Sequence, residues 1–359
     1  MKFDDSNIVE RMGALTLIII GEGIIGMTEK VSFILQTSSN ISASSAGLIV
    51  SAVLVIYVLW MLYFDHTDML DRPGSRINKT KPWGQFWAFL HFPLHTVILI
   101  TVEGSARFIS WWSANEALNF LLGSFDMDWD YPPYVQNGTQ LAQGVRLQLK
   151  NISGAYPYLV EMINGADFQA NLTKIQNLGT FVGLSESTYN DTYNNLSDLL
   201  YYMNDALYVK ICGLFDIDIP EAQEDSDAII DLIYKAYTDW FIAFFVAAGC
   251  VLIFLALARY VGHQGASSKS GPLLEPDRRD KKRRIAWVAI TMQCLIGIGL
   301  TLVSLLPLPK YIADSDRWDN FISSPWIIPT VLLAFSLGKS ISMSGMCILT
   351  NIFPCSHHL

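Results

Sequence analysis

Charge is scarce in this chain: only 16% of its 359 residues are Asp, Glu, Lys or Arg. A soluble domain carries about 25%, so one large soluble enzyme is excluded. Basic residues are the scarcer sign, 24 against 33 acidic ones, and the net charge of −9 excludes the basic surface that a nucleic-acid partner requires. Cysteine is sparse as well. The five present fall in no paired spacing, which argues against a disulfide framework or a CxxC zinc site. No nucleophile elbow, HExxH pair or kinase motif set is found, so the expectation is a non-enzymatic chain without a cofactor. Nor does MKFDDSNIVER resemble the start of a signal peptide, because Glu22 interrupts the apolar stretch that follows it.

What is abundant is apolar sequence, 51% of the chain. It is gathered into runs of about twenty residues, each long enough to cross the hydrocarbon of a bilayer as a helix. Six such segments are predicted: Met12 to Lys30, Ala46 to Phe64, Trp87 to Trp111, Trp240 to Ala258, Ile285 to Leu306 and Trp326 to Thr350. In lipid each must be helical, since a helix satisfies its own backbone groups. The expected fold is therefore an all-α, multi-pass transmembrane bundle with a large extracytoplasmic loop. Its parts are a membrane core over 1–111, the loop over 112–235, a fourth span over 236–258, a basic linker over 259–284 and the last two spans over 285–359.

Lys and Arg orient the bundle. The 259–284 linker carries eight basic residues and ends in RRDKKRR, and the connection before the third span carries Arg72, Arg76, Lys79 and Lys81. Both are expected in the cytoplasm, with both chain ends, in a plasma or endomembrane bilayer. The basic cluster reads first as a topology anchor and second as a contact for anionic lipid headgroups. Within the linker, His263 to Pro276 reads as a flexible Gly, Ser and Pro-rich stretch.

The 112–235 loop then faces outside. It holds seventeen acidic against five basic residues, and five N-x-S/T sequons at Asn137, Asn151, Asn171, Asn190 and Asn195. That enrichment points to a glycoprotein of the secretory pathway. Leu196, Leu199, Leu200, Met203, Leu207 and Ile211 recur at helical spacing, so the loop is expected to build a small helical cap.

Ionisable residues inside the spans are the sharpest functional clue, because each costs about 2.5–3.5 kcal/mol at mid-bilayer. The candidates for handling an ion or proton are Glu22, His91, His95, Glu103, Arg107 and Lys339. Glu22 lies in GEGIIG, a formal dinucleotide fingerprint that lacks the strand it needs, so Gly21, Gly23 and Gly26 are read instead as places where a second helix comes close. Lys339 calls for a carboxylate, and Glu22 and Glu103 are the expected partners. Glu103 and Arg107 are spaced to pair with each other, and His91 and His95 share a helix face. Zinc binding by the histidines would need a third ligand such as Asp65 or His66, and no metal site is expected. Cys355 is a candidate palmitoylation site.

Three fragments together resemble the low temperature requirement A family of multi-pass membrane proteins. They are NIVERMGALTLIIIGEGIIG with Glu10, Arg11, Gly13, Gly21 and Glu22, then WMLYFD with Trp60, Tyr63, Phe64 and Asp65, and FLHFPLH with His91 and Pro93. The resemblance implies a shared core of Glu10, Arg11, Glu22, Asp65 and His91. The long sequon-bearing loop is similar to that of the fungal branch. In the family the E-R…G-E helix lies mid-chain, so the resemblance also implies upstream helices not included here, or a homo-oligomer in their place. It implies no substrate. The functional expectation is a transporter- or channel-like protein with Glu22 as its intramembrane carboxyl; the alternatives are a receptor-like scaffold with a glycosylated loop and, behind it, a lipid-modifying intramembrane enzyme.

Overall fold

The computed structural model describes residues 7–39, 41–71, 82–125, 137–215, 226–266, 276–306 and 321–351. Among them regular structure is helical, apart from one isolated antiparallel bridge between Asn137 and Thr180. The long helices are α1 (Asn7–Thr37), α2 (Ala43–Asp71), α3 (Pro82–Phe125), α7 (Glu186–Leu214), α8 (Ser226–Ala266), α9 (Pro276–Val303) and α10 (Ile327–Asn351). Between α3 and α7 lie α4 (Gly138–Ala155), the short α5 (Val160–Ile163) and α6 (Ala166–Gln176).

Four helices are long and apolar enough to cross a membrane, through Ala43–Asp65, Gln85–Leu121, Lys235–Val261 and Arg284–Val303. The other two expected spans are helical but are not among these four. α1 carries Glu10, Arg11, Glu22, Glu29 and Lys30, and the apolar stretch described in α10, Ile327–Ile341, is short. α3 and α8 run well past their expected spans, because no breaker interrupts WWSANEALNFLL or the stretch from Ile229 to Tyr237. The basic cluster likewise opens α9, whose first turn begins with Pro276, a residue suited to that position. The linker portion 267–275 and Cys355 lie outside the described residues.

The chain divides into two compact units. The first comprises 1–29, 47–108 and 237–359. α1 buries Thr16, Ile20, Gly23 and Met27 at helical spacing, while Leu17, Ile18 and Ile25 are exposed. Exposed Phe89, Phe92, Leu295, Leu333 and Leu337 extend this apolar exterior over α3, α9 and α10, as expected of helices solvated by lipid. Inside, Phe108 meets Phe244 at 5.3 Å and Phe241 at 6.5 Å between ring centroids, joining α3 to α8. α8 and α9 approach through Gly249 and Gly297, where an added Cβ would overlap the facing helix.

The second unit comprises 30–46 and 109–236. α4 is capped by Asn137, whose side chain accepts from the Gln140 N–H at 2.9 Å, and α7 by Ser185. Leu141, Val145, Leu149 and Ile152 of α4 are buried together with Phe168, Leu172 and Ile175 of α6. α7 buries Leu196, Met203, Leu207 and Ile211, the stripe read from its spacing. Gly138 sits too close to the Ile175 carbonyl for any side chain. Gly179, at φ 62°, turns the chain back so that its carbonyl accepts from the Gly138 N–H at 2.8 Å.

Candidate functional site

One group of polar residues in the first unit gathers where α1, α2 and α3 meet. His91 and His95, one turn apart on α3, are both buried, with ring centroids 5.7 Å apart. The His91 Nδ1–H donates to the Trp87 carbonyl at 2.8 Å, which fixes that tautomer and leaves Nε2 as an acceptor; Nε2 is buried without a hydrogen-bond partner. Thr16 of α1 donates its hydroxyl to the Met12 carbonyl at 2.9 Å, so the 2.8 Å bond between Thr16 Oγ1 and His95 Nε2 takes its hydrogen from the histidine. The two imidazoles thus adopt opposite tautomers. Tyr63 of α2 lies edge-on to His91 at 6.0 Å, and its buried hydroxyl faces Thr16. A buried polar atom without a partner in an apolar core is costly to retain without a use.

The ionisable candidates fall into separate places. Glu103 and Arg107 pair along α3 at 3.1 Å, and the Arg107 guanidinium also lies 4.3 Å over the Trp240 ring. Lys339, buried in α10, is paired with Asp65 of α2 and not with Glu22 or Glu103. That corrects the expected pairing: Glu22 points from the exposed face of α1, between Ile18 and Ile25, whereas Asp65 ends the apolar stretch of α2 within reach of the ammonium. Glu10 and Arg11 are exposed. Gly23 packs directly against Val102, the close approach of α1 and α3 expected of the glycine-rich stretch, while Gly21 has open space beside it. Pro93 lies within α3 between the two histidines, where it supplies no backbone donor. No group of three or more metal-ligating residues occurs among those described; the side chain of His66 lies outside them.

Four buried polar residues escaped the sequence reading as candidates. Thr16 and Tyr63 are ordinary residues in apolar runs, and only the fold brings them to the histidines. Arg259 and Gln293 form a second buried polar contact, a 2.7 Å bond from the guanidinium to the amide oxygen, with the Gln293 amide donating on to the Leu252 carbonyl at 3.2 Å. A lone Gln inside span five was its one available signal.

Of the five sequon asparagines, Asn151, Asn190 and Asn195 are exposed, Asn137 is half-buried and Asn171 is buried.

No curated protein and no solved structure matches the chain. Residues 1–119 do match a family model, that of the bacterial low temperature requirement A protein (LtrA). The match takes in all of α1 and α2 and most of α3, the helices that carry Thr16, Tyr63, Asp65, His91 and His95, and over these residues the chain is similar to the LtrA family.

Proposed function

We propose that this protein is transporter- or channel-like, and that a proton or small cation is handled at the buried imidazole pair His91 and His95. The observation that carries the reading is the pair itself: two histidines one turn apart inside an apolar helix, His91 bonded to the Trp87 carbonyl and His95 to Thr16, with the His91 Nε2 buried without a partner. An intramembrane ionisable group is by default a candidate for an ion or proton path. Imidazole is the side chain best suited to pass a proton, since one nitrogen can accept while the other donates. Glu22 is the auxiliary carboxyl in this reading. It sits on a different face of α1 from Thr16, so direct relay between them is not part of the proposal. The reading is non-enzymatic and places residues 112–235 outside the cytoplasm.

The test is flux in vesicles reconstituted with the purified protein. His91→Asn and His95→Gln each retain a hydrogen-bond donor but cannot carry a proton. Both are expected to lower flux by about a hundredfold, the scale of a lost proton-transfer group, with unfolding temperature unchanged. Unchanged flux in both variants, or none from the wild type, sinks the proposal. A second reading, a receptor-like scaffold, is favoured by the compact second unit with three sequon asparagines on its surface. A wild type without flux whose second unit captures an extracellular ligand would support it.

A further inference from the structure

The second unit contains a cavity of about 270 Å³ that the reading above does not use. It is somewhat smaller than the roughly 300–1,000 Å³ of drug-sized ligand sites. Its single carboxylate is Glu116 of α3. Ser42 donates to Glu116 Oε2 at 3.0 Å and Ser45 donates to the same oxygen at 2.8 Å, so Oε1 remains available. Ser42 also caps α2, accepting from the Ser45 N–H at 3.0 Å, which fixes the direction of its own hydroxyl hydrogen. No basic side chain pairs with Glu116 among the described residues. One turn before it, Ser113 lines the cavity; it is 6% exposed, and its hydroxyl is buried without a partner. The Tyr156 phenol is pushed up to about 12, first by burial and then by the Glu116 charge, so it stays neutral beside the carboxylate.

The remaining wall combines Ser38 and Ser39 with an apolar, aromatic side of Ile34, Ile41, Phe120 and Phe215. Phe120 and Tyr156 meet edge-on at 6.0 Å. The Ser39 N–H and hydroxyl both donate to the Ala155 carbonyl, at 2.9 and 3.1 Å, and tie the α1–α2 connection to the end of α4. A hard metal ion is a poor occupant, since calcium takes about six to eight oxygen ligands, several of them charged, and Glu116 is the single carboxylate in a wall that also carries Ile41, Phe120 and Phe215. A charge with donors of its own and an apolar body fits better, because it would pair with Oε1, satisfy Ser113 and lie against aromatic faces.

We infer that this cavity binds a small organic cation of the primary-amine class, its ammonium held between Glu116 and Ser113 and its apolar portion against Phe120 and Phe215. The site is independent of the transport reading: lost flux in the histidine variants leaves it untouched, and lost amine binding leaves flux untouched.

The experiment is equilibrium dialysis of the full chain in lipid nanodiscs with radiolabelled phenethylamine, and with neutral 2-phenylethanol as the control. The amine is expected to bind saturably, one per chain, with a Kd below about 1 mM, and the alcohol not to bind. Glu116→Gln is expected to weaken amine binding by about tenfold or more. Because Glu116 also holds Ser42 and Ser45, a second variant guards against misfolding: Ile41→Trp enlarges a residue 42% exposed at the cavity and is expected to exclude the amine while the fold stands. The inference is overturned by non-saturable amine uptake, by equal binding of the alcohol, or by amine binding that survives Ile41→Trp.

Discussion

Lys339 sits in the apolar stretch of α10 with its ammonium against Asp65, and the pair decides what either residue can do alone. Removing one partner of a buried pair costs about 3–5 kcal/mol, because the other charge is left without compensation. The Asp65 side chain is 34% exposed, so partial solvation lowers that to about 2 kcal/mol for Asp65→Asn. Adding Lys339→Met removes the stranded charge, and the double variant is expected to return to within about 1 kcal/mol of wild type. Denaturant titration in detergent reads this cycle, and additive losses would show that the two side chains do not act as a pair. Cys212 and Tyr156, in the second unit, set a pH dependence. Burial pushes the Cys212 thiol from 9.0 up to about 12, opposed by a bond with Tyr208, and the Tyr156 phenol rises from 10.0 to about 12. The fold therefore favours the protonated forms. Their contribution is complete below the unfolded values of 9.0 and 10.0 and is lost as pH rises through about 12. The denaturation midpoint is expected to fall with pH over that window, and to fall less steeply in Cys212→Ala and Tyr156→Phe; parallel slopes in all three proteins would contradict the assignment.

At the scale of the elements, the contact of α1 with α3 depends on Gly23. A Cβ there would overlap the Val102 side chain, so Gly23→Ala must push the helices apart, and overpacking of this kind costs about 1–3 kcal/mol. Val102→Ala in the same chain opens the space again and is expected to recover most of the loss in thermal stability. No recovery would mean that α1 and α3 do not meet there. This approach was legible in the glycine spacing of α1, as was the shared face of His91 and His95, because both depend on one helix's own period. The α7 stripe was legible for the same reason. What the spacing did not disclose were choices between helices: Asp65 over Glu22 for Lys339, Thr16 for His95, and the meeting of Arg259 with Gln293. Those depend on which faces the packing turns inward. The ends of α3 and α8 were missed because hydropathy marks where lipid stops, while helix propensity carries the backbone on. Burial also sorts the sequons, which sequence alone treats alike. Glycan mapping by mass spectrometry is expected to find Asn151, Asn190 and Asn195 occupied and Asn171 bare, since Asn171 packs at 7% exposure in α6. A glycan on Asn171 would mean that α6 lies differently.

For the whole molecule, sidedness follows from counting crossings. α2, α3, α8 and α9 are each long and apolar enough to span, and consecutive spans alternate direction. Four crossings would put residues 137–215 on the opposite side from the start of α9, whether or not α1 and α10 cross as well. The first turns of α9 carry Arg278, Arg279, Lys281, Lys282, Arg283 and Arg284, so the proposed reading expects that end in the cytoplasm and the sequon-bearing residues outside it. In sealed microsomes the lumen is inside. Arg284→Cys, in a background lacking the five native cysteines, is therefore expected to react with an impermeant maleimide before permeabilisation. Glycans on Asn151, Asn190 and Asn195 are expected to resist endoglycosidase until detergent is added. Labelling of position 284 only after detergent, or glycan removal without it, would show that an even number of crossings separates the two stretches, and α8 could then no longer be counted as a span.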